Sequence, residues 1–199
     1  MRVAVLGIVD PIGLSFLKEN EFKVIEIENF EIQNLKEQLK DVDGILLRTT
    51  KLDKEILEHC DNLKIISRHG VGYDNVDLDF LNENKIALCI TSTSNAVSVA
   101  EHVLSFFIYL TKNLSLSDSL VKEGNFEKRS QLPNFFELYK KKVLIIGFGR
   151  IGKEVAKRCL GFDMEVYVYD PFLDNEIIIR NQCIPIEKNQ GLAIADFIT

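Results

Sequence analysis

The feature that most constrains this chain is the run Lys142-Val143-Leu144-Ile145-Ile146-Gly147-Phe148-Gly149-Arg150-Ile151-Gly152. Apolar residues lead straight into Gly-x-Gly-x-x-Gly, and Val155, Ala156, Cys159 and Leu160 then recur at helical spacing. A second apolar run, Val166-Tyr167-Val168-Tyr169, ends on Asp170. A glycine triplet alone says little. Strand, triplet, helix, strand and terminal acid in that order form a dinucleotide-binding βαβ fingerprint.

Each part has a physical task. Gly147 turns the chain off the strand, Gly149 lets a pyrophosphate approach the backbone, and Gly152 lets the helix pack closely on the sheet. The helix starting near Arg150 aims free N–H groups and a positive dipole end at the phosphates, with Ile151 in the same turn. Asp170 is placed to accept from the ribose hydroxyls and would repel a 2′-phosphate. Pro171 and Phe172 follow it, not arginines, so NAD is expected over NADP.

Composition narrows the class. The chain is 46% hydrophobic, enough for a sizeable core. No apolar run reaches the roughly 20 residues of a membrane span. The start, Met1-Arg2-Val3-Ala4-Val5-Leu6-Gly7, reads as a strand and not as a secretory leader, so a cytoplasmic protein is expected. A formal charge of −6 argues against nonspecific nucleic-acid binding. Cys60, Cys89, Cys159 and Cys183 are scattered and read as reduced thiols. No cluster has metal-ligand spacing, so no metal is expected.

The first half, residues 1–95, reads as another α/β unit. Val3–Leu6, Val24–Ile27, Ile45–Leu47, Lys64–Ser67 and Ala87–Ile90 are predicted strands. Ile12–Lys18, Glu31–Leu39, Lys54–His59 and Leu78–Asn82 are predicted helices, with Asp53 and Asp77 as N-caps. Such alternation implies a mainly parallel sheet with helices on both sides. Residues 96–124 differ. Asn95 would cap a helix from Ala96 to about Thr111 whose second half is apolar almost all round. That demands burial on several sides, between domains or against a second subunit. A helix from Leu114 to Glu123 follows, with Gly124 as its stop. Residues 125–199 then open with a loop, Asn125 to Tyr139, expected to be pinned by Phe126, Phe135 and Phe136.

A second chemical signal is Arg68-His69-Gly70-Val71-Gly72-Tyr73-Asp74-Asn75-Val76-Asp77-Leu78, between a strand and a helix. Gly70 and Gly72 let backbone N–H groups turn toward an anion, and Arg68 adds positive charge. A small carboxylate suits the loop. By itself, the segment reads first as a glycine turn before a capped helix and only second as an anion site.

This segment resembles the substrate loop of the D-isomer-specific 2-hydroxyacid dehydrogenases. Asn95-Ala96-Val97-Ser98-Val99-Ala100-Glu101-His102 is similar to the helix start that follows in that family, and Gly147–Gly152 with Asp170-Pro171 to its cofactor fingerprint. Arg48-Thr49-Thr50-Lys51 resembles the phosphoglycerate dehydrogenase branch. The resemblance implies an α/β protein of two Rossmann-like parallel units, one flavodoxin-like and one NAD-binding, the second incomplete. It implies hydride transfer between NAD and C2 of a small 2-hydroxy or 2-keto acid. Arg48 and Arg68 would bind an acidic substrate, such as 3-phosphoglycerate. The backbone of Gly70, Val71 and Gly72 would hold its carboxylate, Val71 also bordering the nicotinamide. Arg150 and Ile151 would lie on the pyrophosphate and Asp170 on the ribose. A homodimer is expected at full length.

The family's catalytic arginine, glutamate and histidine come late, beyond the run Ala195-Asp196-Phe197-Ile198-Thr199. No catalytic residue is therefore assigned here, and the chain reads as the N-terminal portion of a longer enzyme or a truncated copy, inactive alone. A non-catalytic NAD-binding regulator or a gene remnant are the alternatives. Glu101 and His102 are adjacent, so on a helix they point about 100° apart and make a poor acid–base pair. His69 fits substrate contact or a surface role. His59 reads as a helix-ending cation, and Arg180 and Lys140-Lys141-Lys142 as solvated charge.

Overall fold

In the N-terminal unit, four- and five-residue apolar runs alternate with helices, and parallel pairing follows because each helix returns the chain to the same end of the sheet. The computed structural model describes residues Met1–Thr199, which form two compact units, Met1–Ser94 and Asn95–Thr199.

The N-terminal unit runs β1 (Arg2–Leu6), α1 (Pro11–Glu19), β2 (Lys23–Ile27), α2 (Ile32–Leu39), β3 (Gly44–Leu47), α3 (Lys54–Leu57), β4 (Ile65–Arg68), α4 (Leu78–Glu83) and β5 (Ala87–Ile90). The strand order is β2-β1-β3-β4-β5, all parallel, the flavodoxin-like arrangement. Leu6, Leu47, Arg68 and Ile90 lie side by side across four strands. The loops after them therefore leave from one edge. Leu35, Leu39, Ile45, Leu47, Leu52, Ile66 and Leu81 fill the core.

Asp77 caps α4 by accepting the Phe80 N–H at 3.0 Å. Asp53 precedes α3 but makes no side-chain cap bond; instead it pairs with Lys51 at 3.4 Å. Its other oxygen, Oδ1, is buried without a partner. Asp10 is a cap missed in the sequence: it accepts the Ile12 N–H at 2.9 Å, ahead of Pro11 at the first helical position. Helix α3 stops at Leu57, so His59 lies past it and does not end a helix.

The C-terminal unit runs α5 (Ala96–Lys112), α6 (Leu114–Lys122), a 3₁₀ turn (Phe126–Gln131), β6 (Lys142–Ile146), α7 (Arg150–Gly161), β7 (Glu165–Tyr169), α8 (Asn175–Arg180), β8 (Ile184–Pro185), α9 (Lys188–Ile194) and β9 (Phe197–Ile198). The parallel order β8-β7-β6-β9 matches the 3-2-1-4 portion of a doubly wound sheet. The order of strand addition reverses between β6 and β9, which pair in parallel, and β6 carries the glycine turn. Val143, Ile145, Phe148, Val155, Cys159, Val166 and Val168 form the core, joined by Ala100, Leu104 and Phe107 of α5.

Within this chain only one face of α5 is buried; on the other, Phe106 is 53% and Leu110 66% exposed. A helix apolar almost all round needs more covering surface than these residues supply. Two expectations are corrected here. Asn95 precedes α5 without a side-chain cap bond. Phe126, Phe135 and Phe136 do not pin their loop and remain exposed. Leu138, buried in the core, does so, aided by the Phe136 N–H donating to Thr111 O at 3.0 Å. No helix is long and apolar enough to cross a membrane.

Candidate functional site

The glycine turn after β6 is held by groups from β7. Gly147, at φ +93°, turns the chain off the strand, and its N–H donates to Tyr169 O at 2.9 Å. The Phe148 ring is fully buried, and its N–H donates to Asp170 Oδ2 at 2.7 Å. Gly149 precedes α7 as its N-cap. A Cβ built on Gly147 or Gly149 would meet nothing within 4 Å, so a bare cradle lies in front of the turn. Gly152 differs: its Cβ would run into the Gly147 carbonyl. The first-turn N–H groups of α7 have no carbonyl partner inside the helix and give the cradle its anion-binding character.

Asp170 stands just past β7. Its Oδ1 accepts the Phe172 N–H at 2.9 Å, so both oxygens are anchored. The bond from Phe148, then that from Phe172, holds its carboxyl below the usual carboxylate range. Beside it a groove of about 410 Å³ runs past Pro171, Asn175, Pro185, Glu187 and Gln190. Asp170 and Glu187 are its charged lining residues, and neither lysine nor arginine lines it.

The N-terminal unit presents a separate polar edge. Arg48 follows β3, and its Nη1 donates to Ile8 O at 2.9 Å. Arg68 ends β4, and its Nη1 donates to His69 O at 3.0 Å. Gly70 adopts φ +154°, and a Cβ there would overlap the Arg68 guanidinium, which lies folded over the loop. Arg68 Nε is buried without a partner. Gly72 turns beside Asp74, with Val71 half-buried between the glycines.

Sequence reading missed Asn75. Its Nδ2 donates to Thr50 O at 2.8 Å, while Leu52 N donates to Asn75 O at 2.8 Å and Asp77 N to Leu52 O at 3.0 Å. The loop after Arg48 is thereby stitched to the loop after Arg68. The only sequence signal was an amide side chain beside the Asp77 cap. Glu101 and His102 face different partners: Glu101 meets Arg158 at 3.4 Å, and the His102 ring packs edge-on against Phe106. Arg180 pairs with Glu176 at 3.1 Å and Lys141 with Asp196 at 3.7 Å. No group of His, Cys, Asp and Glu is arranged to hold a metal ion.

Two parallel α/β units, one with a glycine cradle closed by an acid and one with an arginine-flanked glycine loop, place the chain in the class of Rossmann-like α/β proteins with a dinucleotide-binding type of turn. The sequence model for the D-isomer specific 2-hydroxyacid dehydrogenase catalytic domain matches residues 3–184. The chain belongs to this family. It is 31% identical over 200 residues to a D-3-phosphoglycerate dehydrogenase of Archaeoglobus fulgidus, covering 100% of this chain and 38% of that one. Well under half the length of such relatives is thus spanned. Among solved structures, the D-lactate dehydrogenase of Aquifex aeolicus, complexed with NAD and lactic acid, is 26% identical with a TM-score of 0.83; 100% of this chain and 59% of that one are covered. The NAD-bound 3-phosphoglycerate dehydrogenase of Entamoeba histolytica is 28% identical with a TM-score of 0.76, covering 100% and 61%.

Proposed function

We propose that these residues form the substrate unit and the first half of the cofactor unit of an NAD-dependent 2-hydroxyacid dehydrogenase, with 3-phosphoglycerate as the favoured kind of substrate. Family membership supports the chemistry, and the bare glycine cradle supports the cofactor. Bound nicotinamide would exchange a hydride with C2 of the hydroxy acid. The chain's own residues would bind and orient. Gly149, Arg150 and Ile151 would take the pyrophosphate, with Gly147 and Gly152 shaping the turn, and Asp170 the ribose. Gly70, Val71 and Gly72 would take the substrate carboxylate, with Arg48 and Arg68 meeting its charge. None of these groups is a proton carrier, so the 199-residue polypeptide is expected to show no turnover and to bind NAD only weakly.

The observation that carries the cofactor choice is the groove beside Asp170, with two carboxylates and no cation. A 2′-phosphate would meet like charge there. NAD should bind at least roughly tenfold more tightly than NADP, the equivalent of one charged hydrogen bond. Calorimetric titration with both cofactors checks this, and equal dissociation constants would sink it. The exposed face of α5 supports a homodimer as the working state. Sedimentation should return twice the monomer mass, and Leu110→Glu should return the monomer; an unmutated monomer at high concentration counts against it.

A further inference from the structure

The ribose role leaves one property of Asp170 unexplained: its carboxylate is already in use. Oδ2 accepts from Phe148 N at 2.7 Å and Oδ1 from Phe172 N at 2.9 Å. An acid serving only as a ribose acceptor needs neither bond. The neighbouring Tyr169 carbonyl accepts from Gly147 N at 2.9 Å. Consecutive groups at the end of β7 thus grip consecutive amides of the glycine turn. Glycine loses much conformational freedom on folding, so a Gly-x-Gly turn gains order from such anchors. The buried Phe148 ring fixes one end of the residue, and Asp170 fixes its N–H. Because this N–H is committed, phosphate oxygens are left to the first turn of α7.

We infer that Asp170 is a positioning residue for the phosphate cradle as well as a ribose acceptor: its carboxylate latches the Gly147–Gly149 turn to the end of β7 before any ligand arrives. The functional half of this inference rests on the proposed cofactor reading, and the structural half on the two hydrogen bonds. The roles are compatible, because each carboxylate oxygen keeps a second lone pair for a ribose hydroxyl. Replacing Asp170 with a small neutral residue, the obvious way to admit a 2′-phosphate, would also release the cradle. NAD preference would then narrow through loss of NAD binding and not through gain of NADP.

The test uses the full chain with Asp170→Ala and Asp170→Asn, and two probes: ADP and 2′,3′-dideoxy-ADP, which lacks both ribose hydroxyls. Amide hydrogen exchange by NMR is read first, without ligand. Phe148 N–H should exchange roughly tenfold faster in Asp170→Ala, the loss of one charged hydrogen bond, while Val143 and Ile145 stay protected. Asp170→Asn retains one acceptor oxygen and should fall between. Dideoxy-ADP should then bind roughly tenfold more weakly to Asp170→Ala, although it has no hydroxyl to lose. Unchanged Phe148 exchange overturns the latch. If ADP binds and dideoxy-ADP is indifferent to the substitution, the latch falls alone. If neither nucleotide binds the unmutated chain at millimolar concentration, the cofactor reading falls, and the functional half of the latch with it.

Discussion

Both units place a Gly-x-Gly turn just after a parallel strand, yet they secure it with opposite charges. In the C-terminal unit a carboxylate from the next strand, Asp170, grips the Phe148 amide and leaves the cradle bare. In the N-terminal unit the strand's own cation, Arg68, folds back over Gly70 and bonds the His69 carbonyl. The first arrangement leaves backbone N–H groups to meet an anion. The second presents a guanidinium at the turn itself. One glycine pattern is therefore secured in two ways, one that leaves the turn bare before a helix start and one that brings side-chain charge onto it.

The largest effect should come from packing. Gly152→Ala drives a Cβ into the Gly147 carbonyl, a backbone clash that no rotamer relieves. A loss of about 3 kcal/mol is expected, at the upper end for overpacking. Gly149→Ala meets nothing within 4 Å and should stay within about 0.5 kcal/mol. Urea denaturation separates the two, and equal midpoints would show that the glycines are interchangeable.

On the other loop, Arg68→Ala should weaken binding of 3-phosphoglycerate by about 1.5–3 kcal/mol, as for a lost charged hydrogen bond. Affinity for ADP should not move. Calorimetry with both ligands on one preparation reads this, and an equal loss for both would contradict separate sites.

Acid should then expose a smaller likeness between the units. Each has a carboxylate held below its usual range: Asp43 by Lys64 at 2.7 Å and by the Arg2 N–H, and Asp170 by the Phe148 and Phe172 N–H groups. A depressed folded pKa gives stability that is complete above the ordinary carboxylate pKa. It is lost as pH falls through the lower, folded value. Thermal stability should therefore decline below the usual carboxylate range, and Asp170→Asn should flatten part of that decline. A pH profile identical in the variant would remove Asp170 from the account.

Much of the contrast was legible in the sequence because it is local. Gly147, Gly149 and Gly152 share one turn, and Asp170 closes the next apolar run. The bond from Phe148 to Asp170 was not legible, since it joins residues brought together only by strand pairing. Asp53 and Asp77 show the limit of local rules. Both precede helices, but only Asp77 caps; Asp53 pairs with Lys51 through Oδ2 and leaves Oδ1 without a partner. The apolar character of α5 signalled a need for cover without naming what covers it. The aromatic loop misled because ring count was taken as anchorage, whereas a single aliphatic residue, Leu138, reaches the core.

The stitching of the Arg48 loop to the Arg68 loop through Asn75 and Leu52 has a mechanical consequence. Segments joined by backbone bonds share one register, so residues 48–52 and 68–77 behave as one piece. An insertion in either loop would have to break those bonds, whereas a side-chain substitution can leave them in place.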